Sequence, residues 1–600
     1  MRVILFLLKC VVGLLAAVGF ALAALVLVLV LFGKQATELK RSEPLPERML
    51  LVLDLAEGVV TEPQALSLSG FGAPALLEQI QALENAAKDP RVDGLVLRLG
   101  AGGLNQALAQ ELRAAVLRFR KAGKPTYGFA ETFGEGGSGL LHYYLGTAAD
   151  ELWLQPSGMI ELLGLQLTSP YFREALDNWG IKPEAFQREE YKGAADSLLY
   201  QAMPQPVKEN LQQLVDSQLA SMVEGITQRR NITPQRARGL INQGIVLAEA
   251  ALEQQLVDRL GYYDQLVEAL DQKGLPQEWI SLSDYGRDYR PPATEKDAAR
   301  IAVVYGVGPV VRLSEGGPFA NPTMAADRVA PAIAQAAEDP EVKAIIFRVD
   351  SPGGSYVASD SIWREVARAT ARGKPVIVTM GNLAASGGYF VAAPASRILA
   401  QPGTITGSIG IIFMKPEISG LLEKLGLAVD GVQAGSNAGL FSITEPMSDY
   451  QRQVINNFLD SAYLDFLNKV AAGRGLSLTH TRALAGGRVW SGRDAARIGL
   501  VDELGGFHEA LIAARQAAGL TSDQPLKLVT YPARQSPFEV LFNEILGGGL
   551  SASLRELGLL RNLSPLLRSP AAARLQGLAR DPRQSMVSNP VLTPFSRQTQ

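Results

Sequence analysis

Residues 342–348 read VKAIIFR, and residues 92–98, which lie 250 positions earlier, read VDGLVLR. Each segment is mainly apolar, begins with valine and ends with arginine. A short apolar run of this length is typical of a buried strand. Its recurrence indicates that one architecture is present twice, so internal repeats are the first feature to establish.

More matching segments follow in the same order along the chain. The tripeptide GKP at residues 123–125 recurs at 373–375, again at an offset of 250. The tripeptide LVD at residues 256–258 recurs at 500–502, where the offset has fallen to 244. Chance explains a single match, but it does not explain an ordered series whose offset drifts slowly. The sequence therefore predicts an internal duplication.

The duplication divides the chain into segments. Six hundred residues exceed what one hydrophobic core normally serves, so several domains are expected. The first copy is assigned to residues 46–283 and the second copy to residues 300–519. Residues 284–299 are polar and contain two prolines, which predicts a linker. Residues 1–45 precede the first copy, and residues 520–600 form a C-terminal extension in which the periodic pattern fades.

Each copy alternates strand-like and helix-like segments. Apolar runs at residues 49–55 and 94–97 of the first copy correspond to runs at 301–304 and 344–349 of the second. Buried strands that are separated by amphipathic helices favour parallel pairing. The predicted fold class is therefore α/β, as two tandem duplicated domains.

The N-terminal segment has its own character. Residues 10–33 contain no charged or strongly polar side chain over 24 positions. A helix of this length spans roughly 36 Å, enough to cross a hydrocarbon core of ~30 Å. Arg2 and Lys9 precede it and predict a cytoplasmic N-terminus, although Lys34 opposes this bias. The alternative is a cleaved signal peptide, whose apolar region normally has only about 7–15 residues, so the length favours a retained anchor.

Composition argues against several classes of function. A net charge of −3 and a pI near 5.9 provide no general attraction to nucleic acid. The three histidines, His142, His480 and His508, are scattered, and Cys10 is the only cysteine. A clustered metal site and an intrachain disulfide are therefore not expected. We predict no nucleic-acid partner, no metal and no cofactor.

Three glycine-rich turns follow strand-like runs of the second copy. They are DSPGG at residues 350–354, AASGGY at 384–389 and GSIG at 407–410. Ser386 lies between an apolar strand and a helix-like segment, so its hydroxyl is predicted at a helix N-terminus beside anion-binding N–H groups. A nucleophile and an oxyanion hole are built together in this way. The turns predict a catalytic site with Ser386 as the nucleophile.

A serine nucleophile needs a base. No histidine is well placed by sequence, which disfavours a Ser-His-Asp triad without excluding it. Lysine is the other common base. A free lysine, with a pKa of ~10.4, is neutral only about 0.04 % of the time at pH 7, so the protein must bury it. The residues alone leave the identity of that lysine open.

The three turns belong to a larger ordered set, with VWSGRDA at residues 489–495 and GLVDELG at residues 499–505. As a set these motifs resemble signal peptide peptidase A, also called protease IV, in its long duplicated bacterial form. The resemblance covers about residues 45–520. It implies Clp protease/crotonase-like domains, a serine–lysine dyad, and a membrane-associated homotetramer that degrades remnant signal peptides.

The resemblance also implies roles for individual residues. In the family the lysine stands in a Tyr-Lys-Ser/Gly-Ala context, which EYKGA at residues 190–194 matches, so Lys192 is the implied general base. Ser408 is similar to the hydroxyl that orients the lysine amine. The N–H groups of Gly354 and Gly387 are the implied oxyanion hole.

The repeat alignment supports a site shared between the copies. Lys192 aligns with Ala438 at an offset of 246, and Ser386 aligns with Leu140 at the same offset. Each copy therefore lacks the residue that the other has kept. Neither copy is predicted to be a complete enzyme by itself, whereas the pair is.

The predicted function is that of a serine endopeptidase acting on remnant signal peptides and similar hydrophobic peptides. Its predicted location is the bacterial inner membrane, single-pass, with a periplasmic catalytic domain. Two alternatives are a crotonase-like acyl-CoA enzyme and a catalytically inert membrane scaffold. The anchor and the Ser-Gly-Gly turn argue against the first, and the Ser386/Lys192 pair argues against the second.

Overall fold

The computed structural model describes most of both copies; the residues described are 44–62, 74–290, 298–314, 322–522 and 524–533. The predicted anchor at residues 10–33 and most of the predicted extension at residues 520–600 lie outside them. Within the described ranges, no helix combines the length and the apolar character that a membrane span requires.

The first copy contains strands β1–β9 and helices α1–α10. Its strands are β1 Met49–Asp54, β2 Val92–Leu99, β3 Thr126–Ala130, β4 Glu151–Leu154, β5 Met159–Glu161, β6 Lys182–Gln187, β7 Ile245–Leu247, β8 Arg259–Leu260 and β9 Trp279–Ser281. Its helices are α1 Leu76–Lys88, α2 Gln106–Lys121, α3 Leu140–Gly146, α4 Arg173–Trp179, α5 Asp196–Leu199, α6 Gln205–Thr227, α7 Pro234–Gln243, α8 Ala248–Glu253, α9 Tyr263–Gln272 and α10 Leu282–Asp288. Short 3₁₀ turns cover Leu55–Glu57 and Gly193–Ala195.

The second copy contains strands β10–β20 and helices α11–α18. Its strands are β10 Ala299–Val307, β11 Val310–Val311, β12 Met324–Ala325, β13 Val342–Ser351, β14 Val376–Ala385, β15 Arg397–Ala400, β16 Ile405–Gly407, β17 Ile412–Glu417, β18 Val489–Ser491, β19 Glu503–Leu504 and β20 Leu526–Tyr531. Its helices are α11 Ala326–Glu338, α12 Tyr356–Ala371, α13 Gly387–Ala392, α14 Ser419–Lys424, α15 Asp449–Arg474, α16 Leu478–Leu484, α17 Gly492–Arg497 and α18 Phe507–Ala517.

Each copy is built on one sheet. The first sheet has the strand order β8-β4-β3-β2-β1-β9, and the second runs β18-β16-β14-β13-β10-β20. Off this path, β15 pairs with β14, and β19 pairs with β15. The paired neighbours are parallel except β16 and β18. The same register shift follows the first pair of β1–β2 and of β10–β13. The predicted duplication and the largely parallel α/β architecture are confirmed.

The structure differs from the predicted boundaries in two places. Part of the predicted linker at residues 284–299 is helical, because α10 extends to Asp288. Tyr285 of that helix is fully buried, and its hydroxyl donates to a carboxylate oxygen of Asp89 at 3.1 Å. At the other boundary, β20 lies beyond residue 519 and pairs with β10. The polar composition of α10 is the reason that the sequence did not predict it, since most of its side chains stay at the surface.

The two copies share a core. One cluster of buried apolar side chains includes residues of both, such as Leu97 and Ile346. Inside it the guanidinium of Arg348 pairs with the Glu111 carboxylate at 2.6 Å and lies 4.8 Å from the ring centre of Phe507. Removing one partner of such a buried pair leaves an unpaired charge and costs about 3–5 kcal/mol. Since Arg348 lies on β13, the pair fixes that strand against the first copy.

A ribbon of two strands also joins the copies. Strand β6 of the first copy pairs antiparallel with β17 of the second, with Gln187 opposite Ile412. The buried Nζ of Lys415 lies 3.3 Å from the Glu184 carboxylate across this ribbon. The pairing brings the chain that leaves β6 beside the chain that enters β17. Lys192 follows β6 by five residues, so the ribbon directs its loop toward the second copy.

Candidate active site

Ser386 lies at the sharp turn between β14 and α13. It is the N-cap residue of α13 and has φ 54° and ψ −118°, a conformation that is uncommon for a residue other than glycine. A Cβ atom placed on Gly353 would lie 2.8 Å from Ser386 Cβ, so that glycine lets the DSPGG turn approach closely. The arrangement resembles the strained strand-to-helix turn that presents a nucleophile.

Lys192 reaches this turn from the first copy. Its Nζ lies 3.0 Å from Ser386 Oγ, 2.9 Å from Ser408 Oγ and 3.0 Å from the Ser408 carbonyl oxygen. Only 5 % of the residue's surface is exposed. Burial lowers the pKa of the Lys192 amine to about 8. Among the described residues no carboxylate forms a salt bridge with it; the neighbouring Glu189 faces Arg482 at 3.7 Å.

Ser408 occupies the third glycine-rich turn, directly after β16. Like Ser386 it has a positive φ, of 49°. Its N–H donates to the Arg488 carbonyl at 2.7 Å, which leaves its hydroxyl and carbonyl oxygens directed at Lys192. The structure thus brings Ser386, Lys192 and Ser408 together, although Lys192 and Ser386 are 194 positions apart in the sequence.

The amides of Gly354 and Gly387 lie close to each other beside Ser386. A Cβ atom placed on Gly387 would be 3.1 Å from the Gly354 nitrogen. Val310 fixes the first amide, since its N–H donates to the Gly353 carbonyl and its carbonyl accepts from Ser355, both at 2.9 Å. In the hydrogen-bond network of the described residues, neither the Gly354 nor the Gly387 N–H has a backbone acceptor. Both are therefore available to an oxygen bound at Ser386.

A small cavity of about 70 Å³ opens beside the two side chains. Lys192, Ser386 and the two glycines form its polar side. Its apolar side is formed by residues of α12, α13, α15 and the start of β17; they are Tyr356, Phe390, Ile411, Ile412, Ala462 and Phe466. The rings of Phe390 and Phe466 pack 4.7 Å apart. The cavity suits an apolar side chain adjacent to the atom that Ser386 would attack.

The histidines lie elsewhere. His142 is in the first copy, where its Nδ1 accepts from the Gly100 N–H at 3.2 Å. His508 faces the Glu84 carboxylate at 2.5 Å. His480 lies on α16, and within the described chain no histidine contacts Ser386 through a hydrogen bond. The base that the geometry offers to Ser386 is Lys192.

The sequence did not identify several residues of this site. Tyr356 and Phe466 belong to helices that carry no motif, so their place in the cavity followed only from packing. The turn at residues 485–488, whose carbonyl groups hold both the Lys192 and the Ser408 loops, was also missed. Its Gly486-Gly487 pair, just before the VWSG segment, was the available signal.

The model of "Peptidase family S49" matches residues 118–275, which include Lys192, and residues 368–521, which include Ser386 and Ser408. The chain belongs to peptidase family S49. Two matched regions in one chain agree with the duplication, and the predicted relationship to the protease IV, or SppA, type is confirmed.

Similar proteins align with most of the chain. Protease 4 of Salmonella typhi is 31 % identical over 499 residues, covering 79 % of each chain. Protease 4 of Haemophilus influenzae is 34 % identical over 464 residues, covering 74 % of this chain and 73 % of its own. The chloroplastic serine protease SPPA of Arabidopsis thaliana is 30 % identical over 481 residues, covering 77 % and 68 %. The protein is thus a serine-type peptidase of family S49.

One solved structure, a point mutant of ClpP1 from Listeria monocytogenes, matches 35 % of this chain and 94 % of its own. Its sequence identity is 13 % and its TM-score is 0.23. A score of this size does not establish a shared fold. The Clp protease/crotonase-like assignment therefore stays a prediction.

Proposed function

We propose that this family S49 peptidase is a membrane-anchored endopeptidase in which Ser386 is the nucleophile and Lys192 is the general base. The observation that carries the proposal is the 3.0 Å approach of Lys192 Nζ to Ser386 Oγ, for a lysine that is 5 % exposed. Ser408 orients the amine through its hydroxyl and carbonyl oxygens. An acyl-CoA enzyme or an inert scaffold would have no need of a desolvated lysine at this serine.

The proposed reaction has two halves. Neutral Lys192 accepts the hydroxyl proton of Ser386 while Oγ attacks the peptide carbonyl carbon. The N–H groups of Gly354 and Gly387 donate to the resulting oxyanion, each being worth about 3 kcal/mol in the transition state. The Lys192 ammonium then protonates the leaving amine, and the C–N bond breaks. Lys192 next takes a proton from water, which attacks the ester and regenerates Ser386.

The proposed substrates are hydrophobic peptides, above all signal peptides left in the membrane after cleavage. The apolar wall of the cavity supports this choice, because it suits an apolar side chain next to the scissile bond. The finer assignments come from the resemblance: Clp protease/crotonase-like domains, a homotetramer, and a single-pass anchor at residues 10–33 in the bacterial inner membrane. The catalytic copies would then lie in the periplasm, with the N-terminus in the cytoplasm.

The pH dependence of kcat/KM should follow the base. Only the neutral amine accepts a proton, so activity is expected to rise with pH and to level off above a midpoint near 8, the lowered pKa of Lys192. With that pKa roughly a tenth of the molecules are active at pH 7, against about 0.04 % for an ordinary lysine. A rate that stays constant from pH 6 to pH 9 would contradict a lysine base.

A serine-reactive fluorophosphonate tests the proposal directly. We expect it to form a stoichiometric adduct with the full-length protein in detergent, and peptide mapping should find the adduct on Ser386. Labelling should abolish cleavage of a synthetic hydrophobic signal peptide. An adduct on another serine, together with loss of cleavage, would place the nucleophile elsewhere. Cleavage that survives complete labelling of Ser386 would also show that the nucleophile lies elsewhere.

A further inference from the structure

The turn at residues 485–488 of the second copy connects α16 to β18 and touches the loops that carry Lys192 and Ser408. The Gly486 carbonyl accepts from the Tyr191 N–H at 3.1 Å. The Gly487 N–H donates to the Ile409 carbonyl at 2.9 Å, and the Arg488 carbonyl accepts from the Ser408 N–H at 2.7 Å. One short turn therefore holds the loop before Lys192 and the loop of Ser408 in a fixed relation.

Gly487 packs directly on the main chain of Lys192. A Cβ atom placed on Gly487 would lie 2.6 Å from the Lys192 Cβ and nitrogen and 2.7 Å from its Cα. Gly487 also has a φ of +79°. The atoms that it meets are backbone and Cβ atoms, which cannot rotate away like the end of a flexible side chain. Any side chain at this position must therefore displace the Lys192 backbone and the 485–488 turn relative to each other.

Arg488 fixes the residue before Lys192 from the same turn. Its guanidinium carbon lies 5.3 Å from the ring centre of Tyr191 and 4.5 Å from that of Trp490. Stacking of this kind is worth about 0.5–2 kcal/mol, according to exposure. Tyr191 is thus held by the Gly486 carbonyl at its amide and by Arg488 at its ring.

The position of the amine depends on this support. Lys192 Nζ makes its three contacts at 2.9–3.0 Å, and within the described residues it has no ion pair to guide it. A displacement of about 1 Å in a catalytic group costs on the order of 10²-fold in rate. The backbone of Lys192 must therefore be placed with an accuracy of a fraction of an ångström.

We propose that Gly487 is a positioning residue: its lack of a side chain lets the 485–488 turn seat the Lys192 backbone and so sets the distance from Nζ to the Ser386 hydroxyl. This inference rests on the dyad proposed above.

The test compares Gly487→Ala with Gly499→Ala in the full-length protein. Gly499 has nearly the same φ, +80°, but its added Cβ would meet only Leu476 Cδ2, at 4.0 Å. The control therefore carries the backbone strain without the contact to Lys192. For Gly487→Ala we expect kcat to fall about 10²-fold, with KM changed less than about twofold. The acidic limb of the pH profile should move to higher pH than in the wild type. A displaced amine is less desolvated, so its pKa is higher.

A second variant covers the case in which Gly487→Ala does not fold. Arg488→Met keeps the side-chain stem and adds no backbone strain, yet it removes the stacking on Tyr191. We expect it to lower kcat about tenfold with the same upward movement of the acidic limb. Wild-type kcat and pH profile in this variant, or equal kcat for Gly487→Ala and Gly499→Ala, would overturn the positioning role. Lys192→Met separates the two proposals: if that variant stays active, it is the dyad that fails.

Discussion

Ser386→Ala is expected to reduce peptide turnover by at least ~10³-fold while the fold is retained. The loss follows from removal of the atom that is proposed to attack the carbonyl carbon. Retention of the fold follows from the geometry, since the Ser386 side chain is bonded only to Lys192 among the described residues. Alanine removes one oxygen and leaves the Cβ in its place. Cleavage of a synthetic signal peptide and thermal unfolding of the same preparation measure the two effects.

Ser361→Ala is the matched control for this substitution. Ser361 is exposed on α12, where its hydroxyl donates to the Val357 carbonyl at 3.0 Å. Its replacement should leave kcat and the melting temperature near the wild-type values. The nucleophile would have to be sought elsewhere if Ser386→Ala kept more than about a tenth of wild-type turnover.

Lys192→Met should be as inactive as Ser386→Ala, with at least a ~10³-fold loss of kcat. Methionine fills nearly the same space but accepts no proton, so the Ser386 hydroxyl loses its proposed base. The free energy of unfolding of this variant is expected to rise, although its activity falls. Lowering the pKa of a lysine from 10.5 to about 8 on folding costs about 3 kcal/mol below pH 8. Methionine removes that cost, which is larger than the roughly 1 kcal/mol lost when the Ser408 carbonyl loses its donor.

The pH dependence of this stability gain gives a second measurement. The wild-type penalty is complete below the folded pKa of about 8 and disappears as pH rises through the unfolded value of 10.5. The gain in the free energy of unfolding of Lys192→Met should therefore be largest below pH 8 and vanish near pH 10.5. Denaturation at several pH values measures it. A variant less stable than wild type at pH 7 would show that the amine is well solvated or paired.

Lys374→Met controls for the loss of a half-buried lysine. Lys374 precedes β14, at the end opposite Ser386, and its Nζ donates to the Asp339 carbonyl at 2.9 Å. Burial lowers the pKa of this lysine as well. We expect its replacement to lower the melting temperature, because a carbonyl loses its donor. The kcat of the folded variant should remain at the wild-type value.

Local patterns were sufficient for much of the fold. The run predicted at residues 49–55 forms β1, and the segment after Ser386 forms α13, because apolar periodicity and glycine turns act over a few residues. Helix α10 was missed because its composition is polar. Its burial rests on Tyr285 and the distant Asp89, a contact that no local pattern records.

The candidate site likewise contains residues that local sequence patterns predicted and residues that only packing brought there. Ser386 and the glycines around it were identified from the strand–turn–helix pattern, which is local. Tyr356 and Phe466 entered the cavity only through the packing of α12 and α15. Lys192 was selected by resemblance and by complementary losses, because nothing in its neighbours distinguishes it from a surface lysine.

The sequence by itself determined the duplication, the α/β class, and the turn that carries Ser386, since each is encoded by spacing within a short segment or by its recurrence. Only the tertiary structure decided that Lys192 meets Ser386 across 194 positions. The meeting depends on the pairing of β6 with β17 and on the 485–488 turn. The same packing buries the Lys192 amine, and this burial lowers its pKa. The strand pairing, the turn and the burial all rest on long-range contacts, which exist only when the two copies pack together.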